Sequence, residues 1–271
     1  MSQGQRGVTT ANIQAAEQKK GGIIPERYKG FVQQGMVLAV LILLVVFFTF
    51  ANSNFLTWSN ISSLLLATVV TALQAIGLSF VIATGGIDLT PGMGMYFCMV
   101  VIGIVMTATG WPIWMGILVG VIAGALLGTI NGLLISYVKM QPMIATLAMM
   151  LVCWGAGLVL SSGKTISMRE VDGWKNIAMG EIVPGVYTGV IILVVIAIVS
   201  GLLMNKTVVG RYELAIGSNK EATRISGINT RRWELIAYTI CGIFTGFSAI
   251  IMSAYLNSVP PGTGQSYEMY A

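Results

Sequence analysis

A chain of 271 residues in which 55% are hydrophobic and 9% charged departs from soluble domains, where about 25% of positions carry charge. Mean hydropathy is +0.82, and 33 Gly, 16 Met and no His accompany it. The composition points to a polytopic membrane protein, because apolar surface on this scale is a solubility hazard in water. Without histidine, and with Cys98, Cys153 and Cys241 standing singly in apolar stretches, there is neither a metal-ligand spacing nor a disulfide framework. No metal and no cofactor are expected. The net charge of +5 does not mark nucleic-acid binding, since the basic residues lie between hydrophobic runs, where they orient a chain in the lipid bilayer.

A helix rising 1.5 Å per residue needs about 20 mostly apolar residues to cross the hydrocarbon. Seven such runs are predicted, near 35–51, 61–84, 92–109, 113–138, 142–160, 186–204 and 235–256. The first has the flanks of a cleavable signal peptide, but the 34 residues before it are too long and mixed for that reading. Residues 1–34 form a polar tail, expected to be mobile and cytoplasmic, and 35–271 the transmembrane domain. The tail holds Arg6, Lys19, Lys20, Arg27 and Lys29; the segment 205–234 holds Lys206, Arg211, Lys220, Arg224, Arg231 and Arg232. Both are therefore placed on the cytoplasmic side. Six spans separate them, an even number, so span count and charge agree. The segment 161–185 then faces outward, and its charges balance: Lys164, Arg169 and Lys175 against Glu170, Asp172 and Glu181.

Three motifs stand out. Between the second and third spans, Thr84-Gly85-Gly86-Ile87-Asp88-Leu89-Thr90-Pro91 carries Asp88, the only charged side chain between Lys29 and Lys139. An acid is costly at the centre of a spanning helix, so the motif reads as a break at 84–92: Gly85 and Gly86 end one helix, and Thr90 and Pro91 serve as N-cap and first residue of the next. It is either a turn with a capping Asp or a broken-helix element beside a substrate or gating path. In the fourth span Gly116, Gly120, Gly124, Gly128 and Gly132 recur every four residues, a stripe that admits a neighbouring helix or subunit closely, as static packing or as a sliding seam. In the segment 205–234, Asn219 is a good N-cap and Gly227 a good stop, leaving a helix of two turns with Ala222 and Ile225 on one face and Lys220, Glu221 and Arg224 elsewhere. Such a helix is marginal alone and reads either as a docking element or as a solvated linker. Gly157–Thr165 resembles a phosphate loop but has five residues rather than four between its glycines, so no nucleotide site is expected.

Taken together, Thr84–Leu89, Ile130–Ile135, Pro142–Leu147, Gly210-Arg211 and the run Gly217–Ile228 resemble the membrane permease subunit of ABC importers for monosaccharides of the ribose, xylose and galactose type. Thr90-Pro91 stands where Ser-Val is common. The resemblance implies an all-α polytopic transmembrane bundle with about seven spans present of roughly ten, since family members continue past Ala271 through a second glycine-rich signature. The chain is accordingly expected to be a fragment or a truncated reading frame. The resemblance further implies a non-enzymatic transport subunit of the cell (inner) membrane that works with two ATPase subunits, a second permease copy or paralogue and an extracytoplasmic sugar-binding protein. Residues Asn219, Lys220, Glu221, Ala222, Thr223, Arg224, Ile225, Ser226 and Gly227 would couple to an ATPase. The alternative is an ion-coupled secondary transporter using Asp88. No substrate-binding residue is assigned.

Overall fold

The computed structural model describes residues 26–271, with side chains from residue 35 onward. The expectation for the polar tail falls largely on residues 1–25, outside the described residues, and from Glu26 the chain is helical. Helix α1 (Glu26–Ala51) carries the apolar stretch Gly35–Ala51, shorter than a full span. Its C-terminal end is followed by a turn in which Phe48 stacks on Phe55, with ring centroids 5.6 Å apart. There the Asn60 amide donates to Phe55 O at 2.7 Å.

From Ile61 the chain forms a separate compact unit. Among the described residues six helices are long and apolar enough to cross a membrane: α2 (Trp58–Ala83), α3 (Pro91–Thr109), α4 (Ile113–Ser136), α5 (Pro142–Leu160), α7 (Thr188–Lys206) and α10 (Thr230–Leu256). The all-α class is thereby met. Burial separates them by role: 67% of the most apolar window of α10 is covered by protein, against 11% for α7. α10 is therefore the axis of the unit and α7 a peripheral helix. α10 packs along α4 and α3. The core between them gathers Met95, Tyr96, Met99, Ile102 and Met106 of α3 with Phe244, Ile250 and Ile251 of α10.

Several boundaries differ from the sequence reading. The last span begins at Thr230 rather than 235, because the Asn229 side chain accepts the Arg232 N–H and continues the helix into polar sequence. The fourth ends at Ser136 rather than 138, and the second begins at Trp58. The segment expected to face outward is folded rather than a bare loop: the chain there holds β1 (Ile166–Ser167), α6 (Trp174–Met179) and the hairpin β2 (Glu181–Val183) and β3 (Val186–Tyr187). Trp174 of α6 is fully buried, with its ring against Gly116 of α4 and its indole N–H donated to Ser253 Oγ of α10 at 3.3 Å. β1 pairs antiparallel with β4 (Ser258–Val259) just beyond α10, aligning Ile166 with Val259.

On the opposite side, α8 (Val208–Ser218) and α9 (Lys220–Ile225) follow α7. The chain ends in a short α11 (Tyr267–Tyr270).

Candidate functional site

The break between α2 and α3 is built by its own sequence. Gly85 adopts φ 80°, the left-handed state that closes a helix at least cost in glycine, and the Gly85 and Gly86 amides reach back to Ile82 and Val81 carbonyls at 2.9 and 3.1 Å. Gly86 is closely covered as well: a Cβ there would lie 2.6 Å from the Tyr238 hydroxyl, which donates to Ile87 O at 3.2 Å. Asp88 is buried and its Oδ1 accepts the Thr90 N–H at 2.9 Å. This corrects one expectation. Thr90 occupies the N-cap position before Pro91, but its side chain makes no cap bond; the amide that Asp88 accepts is that of Thr90 itself. The Thr90 hydroxyl is engaged elsewhere, accepting from Asn131 Nδ2 of α4 at 2.6 Å and donating to Thr146 O of α5 at 3.3 Å. Thus the first turn of α3 is tied to two other spans.

The glycine stripe of α4 lies against α10 of the same chain. A Cβ on Gly124 would sit 2.2 Å from Gly242 O, and one on Gly128 2.2 Å from Tyr238 O, so the two backbones touch there. Gly120 faces Ile250, Gly132 faces Leu235 and Gly116 faces Trp174. The stripe has a counterpart that sequence reasoning missed, Gly242 and Gly246 of α10, although their four-residue spacing is the same signal.

In the segment after α7, α8 was not anticipated. Gly217 lets its end approach the break: a Cβ there would be 2.1 Å from Ala83 O. Glu213, on the buried face of α8, is fully enclosed, neither carboxylate oxygen has a hydrogen-bond partner, and burial pushes its carboxyl up to about 8. It is therefore held mainly neutral at pH 7. The α9 helix follows the expected plan. Asn219 Oδ1 accepts the Ala222 N–H at 2.9 Å, and Gly227 takes φ 85°. Thr223 is the buried residue, its hydroxyl donating to Ala215 O of α8 at 2.9 Å, while Lys220 pairs with Glu234 of α10. Ala222, Ser226 and Ile225 are exposed, Ile225 at 76%. Arg224 and Glu221 bond each other, and that contact holds the Glu221 carboxyl below its usual range and the Arg224 guanidinium above it.

These parts enclose one space. A cavity of about 680 Å³ is lined by Thr84, Gly85 and Gly86 of the break, by Lys139 beyond α4, by Lys220, Glu221 and Arg224 of α9, and by Glu234 and Tyr238 of α10. Nothing in the sequence joins the break to the segment 205–234, because about 130 residues separate them; the close approach at Gly217 brings them together, with the Lys220–Glu234 pair holding α9 to α10.

A family model described as the permease component of branched-chain amino acid transport systems matches residues 60–271. Similar curated proteins include the ribose import permease of Escherichia coli K12, 31% identical over 249 residues that cover 89% of this chain and 75% of that one. The ribose import permease of Bacillus subtilis is 35% identical, covering 90% and 76%. The L-arabinose ABC transporter permease of Azospirillum brasilense is 32% identical, covering 91% and 73%. No solved structure matches significantly. With six apolar helices of spanning length and a family match over most of its residues, the chain is a multi-pass membrane protein that belongs to the permease component family of these transport systems.

Proposed function

We propose that this chain is the membrane permease of an ATP-driven importer, forming the path for a small sugar delivered by an extracytoplasmic binding protein. Its N-terminus and the segment 205–234 face the cytoplasm. There two separate ATPase subunits dock on the residues from Asn219 to Gly227, and a second permease copy or a paralogue completes the path. The observation that carries the reading is the shared cavity: α9, braced by Thr223 on α8 and by Lys220 on Glu234, opens on the same space as the helix break. A push on α9 is thereby a push on the break, through packed backbone at Gly217 rather than through a flexible linker. The relatives named as ribose and L-arabinose permeases supply the substrate class, and ATP hydrolysis belongs to the partner subunits.

Asp88 has a structural occupation, the Thr90 N–H, and the ion-coupled reading gains no support from the relatives. The test is copurification from membranes with cytoplasmic proteins retained. An ATPase should accompany the wild-type chain and be lost on Ala222→Arg or Ile225→Asp, two exposed positions whose change leaves membrane insertion intact. Undiminished copurification with both variants overturns the assignment of α9.

A further inference from the structure

The chain beyond α10 turns back along α3. Gly103 of α3 faces Ile166 of β1 and Val259 of β4, whereas Gly92 of the same helix faces Gly264 and Glu268. The 103 − 92 = 11 residues between them amount to about 16 Å of helix, roughly half the hydrocarbon thickness. The segment Pro260–Ser266 therefore descends alongside α3. It does so without helical structure, through positive φ at Gly262, Gly264 and Ser266, and Gly264 is obligatory because a Cβ there would lie 2.3 Å from Gly92 O. Irregular backbone at this depth is tolerated only against protein or a watery cavity.

Both are present. One side of the segment rests on α3, and the other opens on a cavity of about 200 Å³ between Met93 of α3, Leu151 and Trp154 of α5, and Gln265, Ser266 and Glu268 of the returning segment. Glu268 lies against the first turn of α3, and its Oε2 is buried without a hydrogen-bond partner. A buried carboxylate oxygen left unpaired beside a span is a candidate functional group. The lining combines an aromatic ring, a primary amide, a hydroxyl and a carboxylate, a set that suits a neutral solute with one apolar face and several hydroxyls. Pockets for drug-sized ligands run to about 300–1,000 Å³, so this smaller space fits a single ring.

We propose that this cavity is a monosaccharide subsite on the translocation path, with Trp154 against the C–H face of the sugar and Gln265, Ser266 and Glu268 on its hydroxyls. The inference rests on the import reading above and assigns path residues that it leaves open. The experiment places a reporter thiol at Leu151→Cys in the full chain, reconstituted in lipid nanodiscs and treated with a water-soluble maleimide. Cys98, Cys153 and Cys241 are buried and serve as the internal check on folding, remaining unlabelled. The reporter labels, and at least one of D-ribose, L-arabinose and D-fructose, at about ten times its half-protecting concentration, slows labelling about tenfold. Glycerol and tetramethylammonium do not. Trp154→Ala abolishes the protection, and Glu268→Gln, which keeps the shape but removes the charge-assisted bonds, shifts it to about tenfold higher sugar. Labelling indifferent to all three sugars, protection that survives Trp154→Ala, or protection by tetramethylammonium overturns the subsite. If an ATPase still copurifies in those cases, the subsite alone falls; if none does, the import reading falls with it.

Discussion

The contact between α4 and α10 gives a prediction with a definite size. A methyl on Gly128 would stand 2.2 Å from Tyr238 O and 2.9 Å from Gly242 Cα, where ordinary contact begins at 3.4 Å. Neither obstacle is the flexible end of a side chain, so Gly128→Ala can be accommodated only by parting the two helices by 3.4 − 2.2 Å, about 1 Å. A gap of that order forfeits a quarter to a half of each van der Waals contact across the seam. In a bilayer that packing, rather than exclusion of water, is what holds helices together. The expected loss is about 1–3 kcal/mol, read as a lower unfolding temperature of the purified protein in detergent or nanodiscs. Gly155→Ala on α5 is the matched control, because nothing lies within 4 Å of its added Cβ and alanine favours helix; it should leave stability unchanged or raise it slightly. Equal stability of the two variants would refute a backbone-to-backbone seam.

Three further outcomes follow from the site. Glu213 is buried and its carboxyl lies near 8 against an ordinary 4.5, so the folded state holds a proton that the unfolded state releases. Stability is then full below pH 4.5 and falls by about 1.4 kcal/mol per unit as pH rises toward 8; Glu213→Gln should flatten that slope in thermal unfolding followed across pH, and an unchanged slope sinks the account. Asp88→Ala should cost about 1–2 kcal/mol through the orphaned Thr90 N–H while Asp88→Asn, which keeps an acceptor, should cost less and retain ATP-driven sugar uptake in the assembled importer. Uptake abolished by Asp88→Asn in a stable protein would show that the charge itself is used. Thr223→Val removes the hydroxyl that pins α9 to α8, so it should weaken coupling of ATP hydrolysis to uptake more than it weakens ATPase copurification; equal losses in both would assign Thr223 to docking instead.

The spans are legible because the bilayer imposes their length and composition, and a run such as 113–138 has no other reading. Helix ends were less so, since hydropathy reports only the part of a helix at lipid depth. At Thr230–Glu234 the helix persists through Arg231 and Arg232 because Asn229 caps it and Lys220 pairs with Glu234, contacts that no window average contains. The break at 84–92 is readable from Gly85, Gly86 and Pro91, and Thr90 does hold the N-cap position, but without a side-chain cap bond. The Thr90 hydroxyl is engaged by Asn131 and the Thr146 carbonyl instead, partners on other spans that local sequence does not contain. The buried face of α8 was hidden because Arg211 and Glu213 look like solvent-facing positions, while Gly217, which tucks the helix under Ala83, looks like a turn. The returning segment Pro260–Ser266 has the composition of an exposed loop. Its descent is set by β4 pairing with β1 and by Gly264 fitting against Gly92, both long-range events.

The mechanical question for a permease is whether a push at the cytoplasmic face reaches the path or is absorbed on the way. Absorption requires a soft link, and the route from α9 has few. Thr223 fixes α9 to α8, Gly217 sets α8 against the end of α2 with no side chain between, and the break transmits to α3, whose first turn is held by Asn131 and by Thr146 O. Gly92 in that turn lies against Glu268 of the returning segment, beside the small cavity. Each step is a close backbone approach or a buried hydrogen bond, and packed interfaces of that kind shift between discrete arrangements instead of deforming smoothly. The glycines that allow the approaches therefore set how much of a push survives. Gly217→Ala is the direct test: its Cβ would collide with Ala83 O, separating α8 from the break by about 1 Å. ATPase binding on the exposed residues of α9 should persist while sugar uptake per ATP hydrolysed falls. Full uptake with this variant would mean that force reaches the path by another route.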